Sequence, residues 1–283
     1  MATRTAPILR LRRINPLRRY LRIFTCFARN GLVRELSFRT NFIITALSEM
    51  LWLMMMLVFV RVVFNFTKNV EGWNGYQYVF LLGTHFLITS LFETFFFTNI
   101  QRLGEMIRTG SLDFVLLKPA SPQFLLSLER IDYAALANAP LGAFLCIYCA
   151  IKLHLDIGIA QVGLFVLLVS SGVLTLYGLM FMFATTSIWF IRQTGASHFW
   201  FYLTSCAKYP AEIYKPLVRG VLYFVLTFVF PVLIVANLPA RVMVRRAFSP
   251  WMVVYAAVIA TAIVLLSLGF FRWALRWYRS ASS

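Results

Sequence analysis

The chain is 283 residues long, 60% hydrophobic and 17% aromatic, with only 13% charged residues and a formal net charge of +17. A water-soluble domain carries about 25% charged residues, so this composition excludes an ordinary soluble enzyme or binding domain and indicates an all-α integral membrane protein. Lys68, Lys118, Lys152, Lys208 and Lys215 are the five lysines, so the positive excess is arginine. With this much apolar sequence and no zinc-finger or other nucleic-acid motif, its counterpart is an anionic membrane surface and not nucleic acid.

The first 39 residues hold ten arginines against Glu35 alone. Leu17, Leu21, Phe24 and Ala28 recur at helical spacing, with Arg18, Arg22 and Arg29 off that stripe. The pattern predicts an amphipathic helix lying in the membrane interface, as an anchor or as a lever to a cytoplasmic partner. The first long apolar stretch begins near Asn41, too late and too long for an ordinary cleaved signal peptide, so residues 1–40 read as a basic tail plus interfacial helix.

Six apolar runs come next, at 42–64, 78–100, 136–153, 158–190, 218–238 and 251–271. Each approaches the roughly 20 residues that cross about 30 Å of hydrocarbon. The fourth has no charge from Ile157 to Ile191, about 50 Å if helical throughout, so it is either strongly tilted or broken near Gly172 or Gly178. Residues 197–216 mix aromatics with Lys208, Pro210, Glu212, Lys215 and Pro216 and read as an interfacial helix and turn. Arginine bias places both termini in the cytoplasm of a cell inner (plasma) membrane protein, with a transmembrane domain at 41–272 and a tail at 273–283. Segments 101–132 and 191–217 then face the cytoplasm, whereas Arg241, Arg245 and Arg246 fall on the external side, against the bias.

Glu49, His85 and Glu93 lie within spans, where an ionised side chain must face protein, water or a partner, or else be neutral. A hydrogen-bonded structural cluster is one reading; contact with a cationic or polar substrate, or proton coupling, is the other. Cys146 and Cys149 have Cys-x-x-Cys spacing but sit in an apolar helical run, which reads as packing and not as a redox or metal site. H-E-x-x-H, G-x-S-x-G and the phosphate-binding G-x-x-x-x-G-K-[ST] loop are all absent, so the chain is not expected to be an enzyme, to carry catalytic or metal-binding residues, or to hydrolyse ATP.

After the second span comes "NIQRLGEMIRTGSLDFVLLKPASP". Leu103, Met106, Ile107 and Gly110 keep helical spacing while Arg102, Glu105 and Arg108 supply charge. Gly110 can end the helix in a left-handed conformation, Ser111 or Asp113 can cap the next segment, and Pro119 and Pro122 stop a further helix from running on. The expected result is a short, rigid cytoplasmic knuckle.

The basic lead-in, this G-x-L-D and L-x-K-P pattern (Gly110, Leu112, Asp113, Leu116, Lys118, Pro119), "YPAEIY" with Tyr209 and Pro210, and "LPA" at Leu238–Ala240 together resemble the permease subunits of ABC-2 type exporters. The resemblance covers about residues 15–275 and implies six spans per subunit, a homo- or heterodimer with a second permease subunit, and two cytoplasmic ABC ATPase subunits that hold ATP and Mg. This chain itself would carry no cofactor. It also implies that the segment at about 101–109 is the coupling helix, that short external re-entrant helices precede the last span, and that an exported substrate, unidentified, passes between the subunits amid membrane lipids. An ATP-independent channel or a proton-coupled carrier is the alternative.

Overall fold

The structure, a computed structural model, describes residues 16–37, 39–190, 195–245 and 250–278; Arg246 and the N-terminal arginines up to Arg13 lie outside these. Among the described residues the fold is helical. Helix α1 (Pro16–Ser37) lies against the bundle, α2 (Arg39–Phe66) is the first span, and α3 (Gly75–Phe92) passes through a π-helical turn at Glu93–Phe97 into α4 (Thr98–Arg108). Short helices α5 (Leu112–Leu116), α6 (Pro122–Leu128) and α7 (Tyr133–Leu136) lead to α8 (Ala139–Lys152), and the long α9 (Ile159–Thr185) comes after it. Then come α10 (Gly195–Ala207), α11 (Val221–Phe224) with a π turn at Val225–Val229, α12 (Val232–Val244) and α13 (Pro250–Ala274).

Among the described residues, five helical stretches are long and apolar enough to cross a membrane: Phe42–Phe66, Gly75–Arg108, Tyr133–Lys152, Ile159–Ile188 and Pro250–Ala274. The second is 34 residues long. The expected separate helix at 101–109 is therefore corrected: these residues are the last turns of the second span's own helix. The fourth is unbroken from Ile159 to Thr185. Gly172 and Gly178 serve packing: a Cβ on Gly178 would stand 2.5 Å from Ile263 Cγ2, so glycine lets α9 and α13 approach this closely.

The expected straight span at 218–238 is also corrected. Val221–Val229 and Val232–Val244 meet at 87° around Pro231, whose ring supplies no amide to carry a helix through. Contacts along α3 fix where each arm goes. Val232 and Val235 pack in one cluster with Ile88, whereas Met243 and Val244 pack with Trp73 and Phe80. Tyr223 and Leu226 lie beside Ala211 and Tyr214, so the first arm starts at that same end. The bent pair therefore enters from the Trp73 end, turns near mid-depth, and leaves by the end it entered.

Alongside α3 run α10 and the 3-10 turn Ala211–Tyr214 instead. Trp200 stacks on Phe92 at 4.5 Å, Tyr209 packs against Tyr78 and Leu82, and Glu212 accepts a hydrogen bond from Trp73 Nε1 at 3.1 Å. The chain thus runs antiparallel to α3, from beside Phe92 to Trp73. Residues 197–216 are not an interfacial helix and turn, and 211–214 shares an end with 67–74, contrary to the expected 191–217 loop. Lys208 and Glu212 hid this crossing because they lower its hydropathy, yet both find polar company inside the protein. Arg245 joins the same end, its guanidinium 4.5 Å over the Trp73 ring and 3.4 Å from Glu212 Oε1, with Arg241 Nε 3.7 Å from that oxygen. The expected charge anomaly is an arginine pair set on a buried carboxylate.

Helix α1 docks at the opposite end through residues outside the expected interfacial stripe. Leu17 and Leu21 are exposed, whereas Ile23 and Phe27 pack on the main core and Gly31 is buried. The helix carries two apolar stripes, and periodicity alone does not say which one meets protein and which meets lipid. Gly31 is needed for close approach: a Cβ there would lie 3.0 Å from the Ile131 carbonyl oxygen.

Candidate functional site

Glu49, His85 and Glu93, far apart in sequence, line one cleft of about 260 Å³ between α2, α3 and α10. Lys208, Thr89, Ser90, Thr204, Ser205 and Asn138 complete its polar lining, while Trp52, Met56, Phe86 and Phe201 supply apolar walls. Trp52 and Phe201 are exposed on the bundle's flank, so the cleft opens sideways. Glu93 Oε1 accepts a hydrogen bond from Trp200 Nε1 at 3.2 Å. The cleft therefore presents two carboxyl groups, an imidazole, an ammonium group and several hydroxyls within an otherwise apolar bundle. It suits a charged or strongly polar group attached to an apolar body. Among the described residues no three His, Cys, Asp or Glu side chains are grouped to hold a metal ion. Cys146 and Cys149 are buried at the α3–α8 contact, with Cys146 Sγ 3.6 Å from Thr84 Oγ1.

Glu93 is also the first residue of the π turn. A π turn inserts a residue into the helical ladder, re-aims the side chains beyond it and frees carbonyl groups. The Thr94 carbonyl accepts from Asp132 N at 2.9 Å. One turn on, Asn99 Nδ2 donates to the Arg130 carbonyl at 2.6 Å and Asn99 Oδ1 accepts from Arg130 N at 2.9 Å. Arg102 pairs with Glu129 at 3.3 Å. The segment 129–132 is thereby stitched to the helix just beyond the cleft carboxyl.

The knuckle residues divide into two sets. Leu103, Ile107 and Leu112 are buried in the main core, Met106 and Leu116 pack against it, and none of the first three presents a surface to a partner. Glu105 and Arg108 are exposed and paired at 2.6 Å. Gly110 has φ +71°, the left-handed conformation that favours glycine, and ends α4 as expected. Ser111 stands at the head of α5 but makes no cap there; its hydroxyl meets Thr109 Oγ1 at 2.9 Å. Asp113 lies beside Tyr278, whose hydroxyl is pushed up to about 12 by burial and by that neighbouring carboxylate. The Pro119 carbonyl accepts from Arg19, and Ser121 N donates to Tyr20 Oη at 3.1 Å, so α1 clamps the knuckle. Lys118 is exposed.

Sequence reasoning missed Phe114 and Leu117, which are 71% and 81% exposed. Their signal was the i, i+3 spacing of the buried Leu112 and Val115 in "LDFVLL", which leaves Phe114 on another face of the short helix, with Leu117 just past its end. It also missed the buried knot beneath them. Gln123 Nε2 donates to Tyr177 Oη at 2.8 Å and to Ser267 Oγ at 3.2 Å, with Ser127 Oγ 2.8 Å from the same phenol, tying α6 to α9 and α13. Tyr209 and Pro210 owe their place to Asn237, whose Nδ2 donates to the Tyr209 carbonyl at 3.1 Å and whose Oδ1 accepts from Ala211 N at 2.8 Å.

A multi-pass helical bundle with a polar cleft, a knuckle at one end and an amphipathic helix clamped beside it suits the membrane domain of a transporter. A family model described as ABC-2 family transporter protein matches residues 50–282, and the chain belongs to that family. It is a permease of the ABC transporter class, a transport membrane subunit, whose family implies association with ABC ATPase components. No curated protein and no solved structure matches the chain.

Proposed function

We propose that the chain is the membrane-spanning subunit of an ATP-driven exporter in the cell inner membrane, paired with a second permease subunit and driven by two cytoplasmic ATPase subunits that carry the nucleotide and Mg²⁺. The observation that carries this reading is the single helix from Gly75 to Arg108. One rigid element runs from the cleft residues His85 and Glu93 to the exposed Glu105–Arg108 tip, so a push at the tip moves the cleft wall. The docking surface for the ATPase is Glu105, Arg108, Phe114, Leu117 and Lys118, at the α1 end, which we assign to the cytoplasm with both termini. A second permease subunit is favoured by α2, of whose apolar stretch only 11% is buried within the chain. A proton-coupled carrier is the second reading, favoured by the grouping of Glu49, His85 and Glu93 in one cleft.

The test is co-purification and transport with the cognate ATPase. Phe114→Asp combined with Leu117→Asp is expected to lower ATPase co-purification by about tenfold or more, as loss of an apolar hot spot does, while the permease still folds. Normal binding and transport by that double variant would move the docking surface elsewhere. Transport by the purified chain with no ATPase present would overturn the exporter reading in favour of the carrier.

A further inference from the structure

A second cavity, separate from the polar cleft, lies between the bent α11–α12 pair and α13 at the Trp73 end. It measures about 240 Å³ and is lined by Phe228, Leu233, Ile234, Leu238 and Met252, with Arg241, Trp251 and Tyr255 also on its wall. With Phe228, Leu233, Ile234, Leu238 and Met252 on its wall, the slot suits part of a single acyl chain.

Its charge is unbalanced. Glu212 is the shared acid: Oε1 faces both Arg245 Nη1 at 3.4 Å and Arg241 Nε at 3.7 Å, while Oε2 accepts from the Trp73 indole at 3.1 Å. Two guanidinium groups against one carboxylate leave an excess positive charge. Arg245 is further engaged over Trp73 and with the Glu71 carbonyl at 3.4 Å, so the excess falls on Arg241, the arginine that lines the slot. The Thr227 hydroxyl, also on the slot wall, is buried without a hydrogen-bond partner. Trp251 is exposed, as an aromatic side chain is at a headgroup level.

We propose that this slot is a binding site for one anionic phospholipid, its phosphate on Arg241 and one acyl chain along Phe228, Ile234, Leu238 and Met252. A guanidinium favours phosphate through parallel N–H donors, and the uncompensated charge selects a net-anionic lipid over a zwitterionic one with the same chains. The bound lipid wedges the bent pair against α13 and fixes the outer wall of the bundle without entering the polar cleft. The site stands independently of the transport reading.

Native mass spectrometry of the full chain in detergent, given equal phosphatidylglycerol and phosphatidylcholine of identical chains, tests this. Retention of phosphatidylglycerol is expected to exceed that of phosphatidylcholine about fivefold, the preference one basic residue supplies near a lipid surface. Arg241→Gln leaves Glu212 paired with Arg245 and should abolish the preference, whereas Arg241→Lys should keep it. Met252→Trp fills the slot from its exposed rim and should reduce retention of both lipids. Equal retention by the unaltered chain, a preference that survives Arg241→Gln, or unchanged retention in Met252→Trp would overturn the proposal. Displacement of the lipid by glycerophosphate alone would assign the site to free phosphate, and loss of a dimer mass in Met252→Trp would assign the slot to a second copy of the chain; either also overturns it.

Discussion

Trp73 and Glu212 stand 139 positions apart in sequence and are joined by a buried hydrogen bond of 3.1 Å. The indole is fully buried and the carboxylate nearly so, with Arg245 stacked on the ring. This pair holds the α2–α3 connection, the 3-10 turn Ala211–Tyr214 and the end of α12 in one cluster. Glu212→Ala would leave two guanidinium groups facing each other without their acid, and should cost about 3 kcal/mol. Glu212→Gln, which keeps an acceptor for the indole, should cost less. Unfolding midpoints of the purified chain, measured side by side, check the order of the two variants.

The path of residues 195–245 is open to a labelling test. In a cysteine-free background, Thr67→Cys and Lys215→Cys should react with a membrane-impermeant maleimide from the same side of intact cells, and Phe114→Cys and Lys118→Cys only after permeabilisation. Lys215→Cys reacting together with Lys118→Cys would restore the interfacial turn that the sequence pattern suggested and refute the bent pair.

Helices α3 and α8 touch through backbone. A Cβ on Gly142 would lie 2.8 Å from Leu87 N and 2.9 Å from the Gly83 carbonyl oxygen, and neither atom can rotate away. Gly142→Ala should therefore cost about 2 kcal/mol by forcing the helices apart. Gly163, with no atom within 4 Å of its added Cβ, provides the contrast: Gly163→Ala should be neutral or stabilising by up to about 1 kcal/mol, since alanine is the better helix former.

Asn99 is nearly buried and serves the Phe95 carbonyl, the Arg130 carbonyl and Arg130 N at once. Asn99→Ala should cost about 1–3 kcal/mol through unsatisfied backbone groups. It should also weaken the coupling of ATPase activity to transport, because segment 129–132 would no longer move with the π turn. Measuring ATP hydrolysed per substrate moved separates the two effects; an unchanged ratio would mean that Asn99 is structural only.

Glu93→Gln retains an acceptor for Trp200 while removing an ionisable group from the cleft. Export of cationic amphiphiles should fall about tenfold, equivalent to about 1.4 kcal/mol of lost interaction, with neutral compounds unaffected. Equal loss for both classes would assign Glu93 a packing role.

The features legible in the sequence came from local chemistry. Composition and apolar run length announced a membrane bundle, Gly110 marked the end of α4, and scarcity of charge made Glu49, His85 and Glu93 conspicuous. Their convergence in one cleft with Lys208 was not legible, since it depends on how α2, α3 and α10 pack. Hydropathy also ranked 218–238 above 197–216 as a span, because it counts apolar residues without knowing which polar ones are matched. Only the tertiary structure pairs Glu212 with Trp73, Arg241 and Arg245, and Lys208 with the cleft. Those pairings make it tolerable to run a charged segment across the bundle, and they leave the apolar segment free to fold back on itself. Which segment crosses is decided by where its polar groups find partners, and those partners lie far away along the chain.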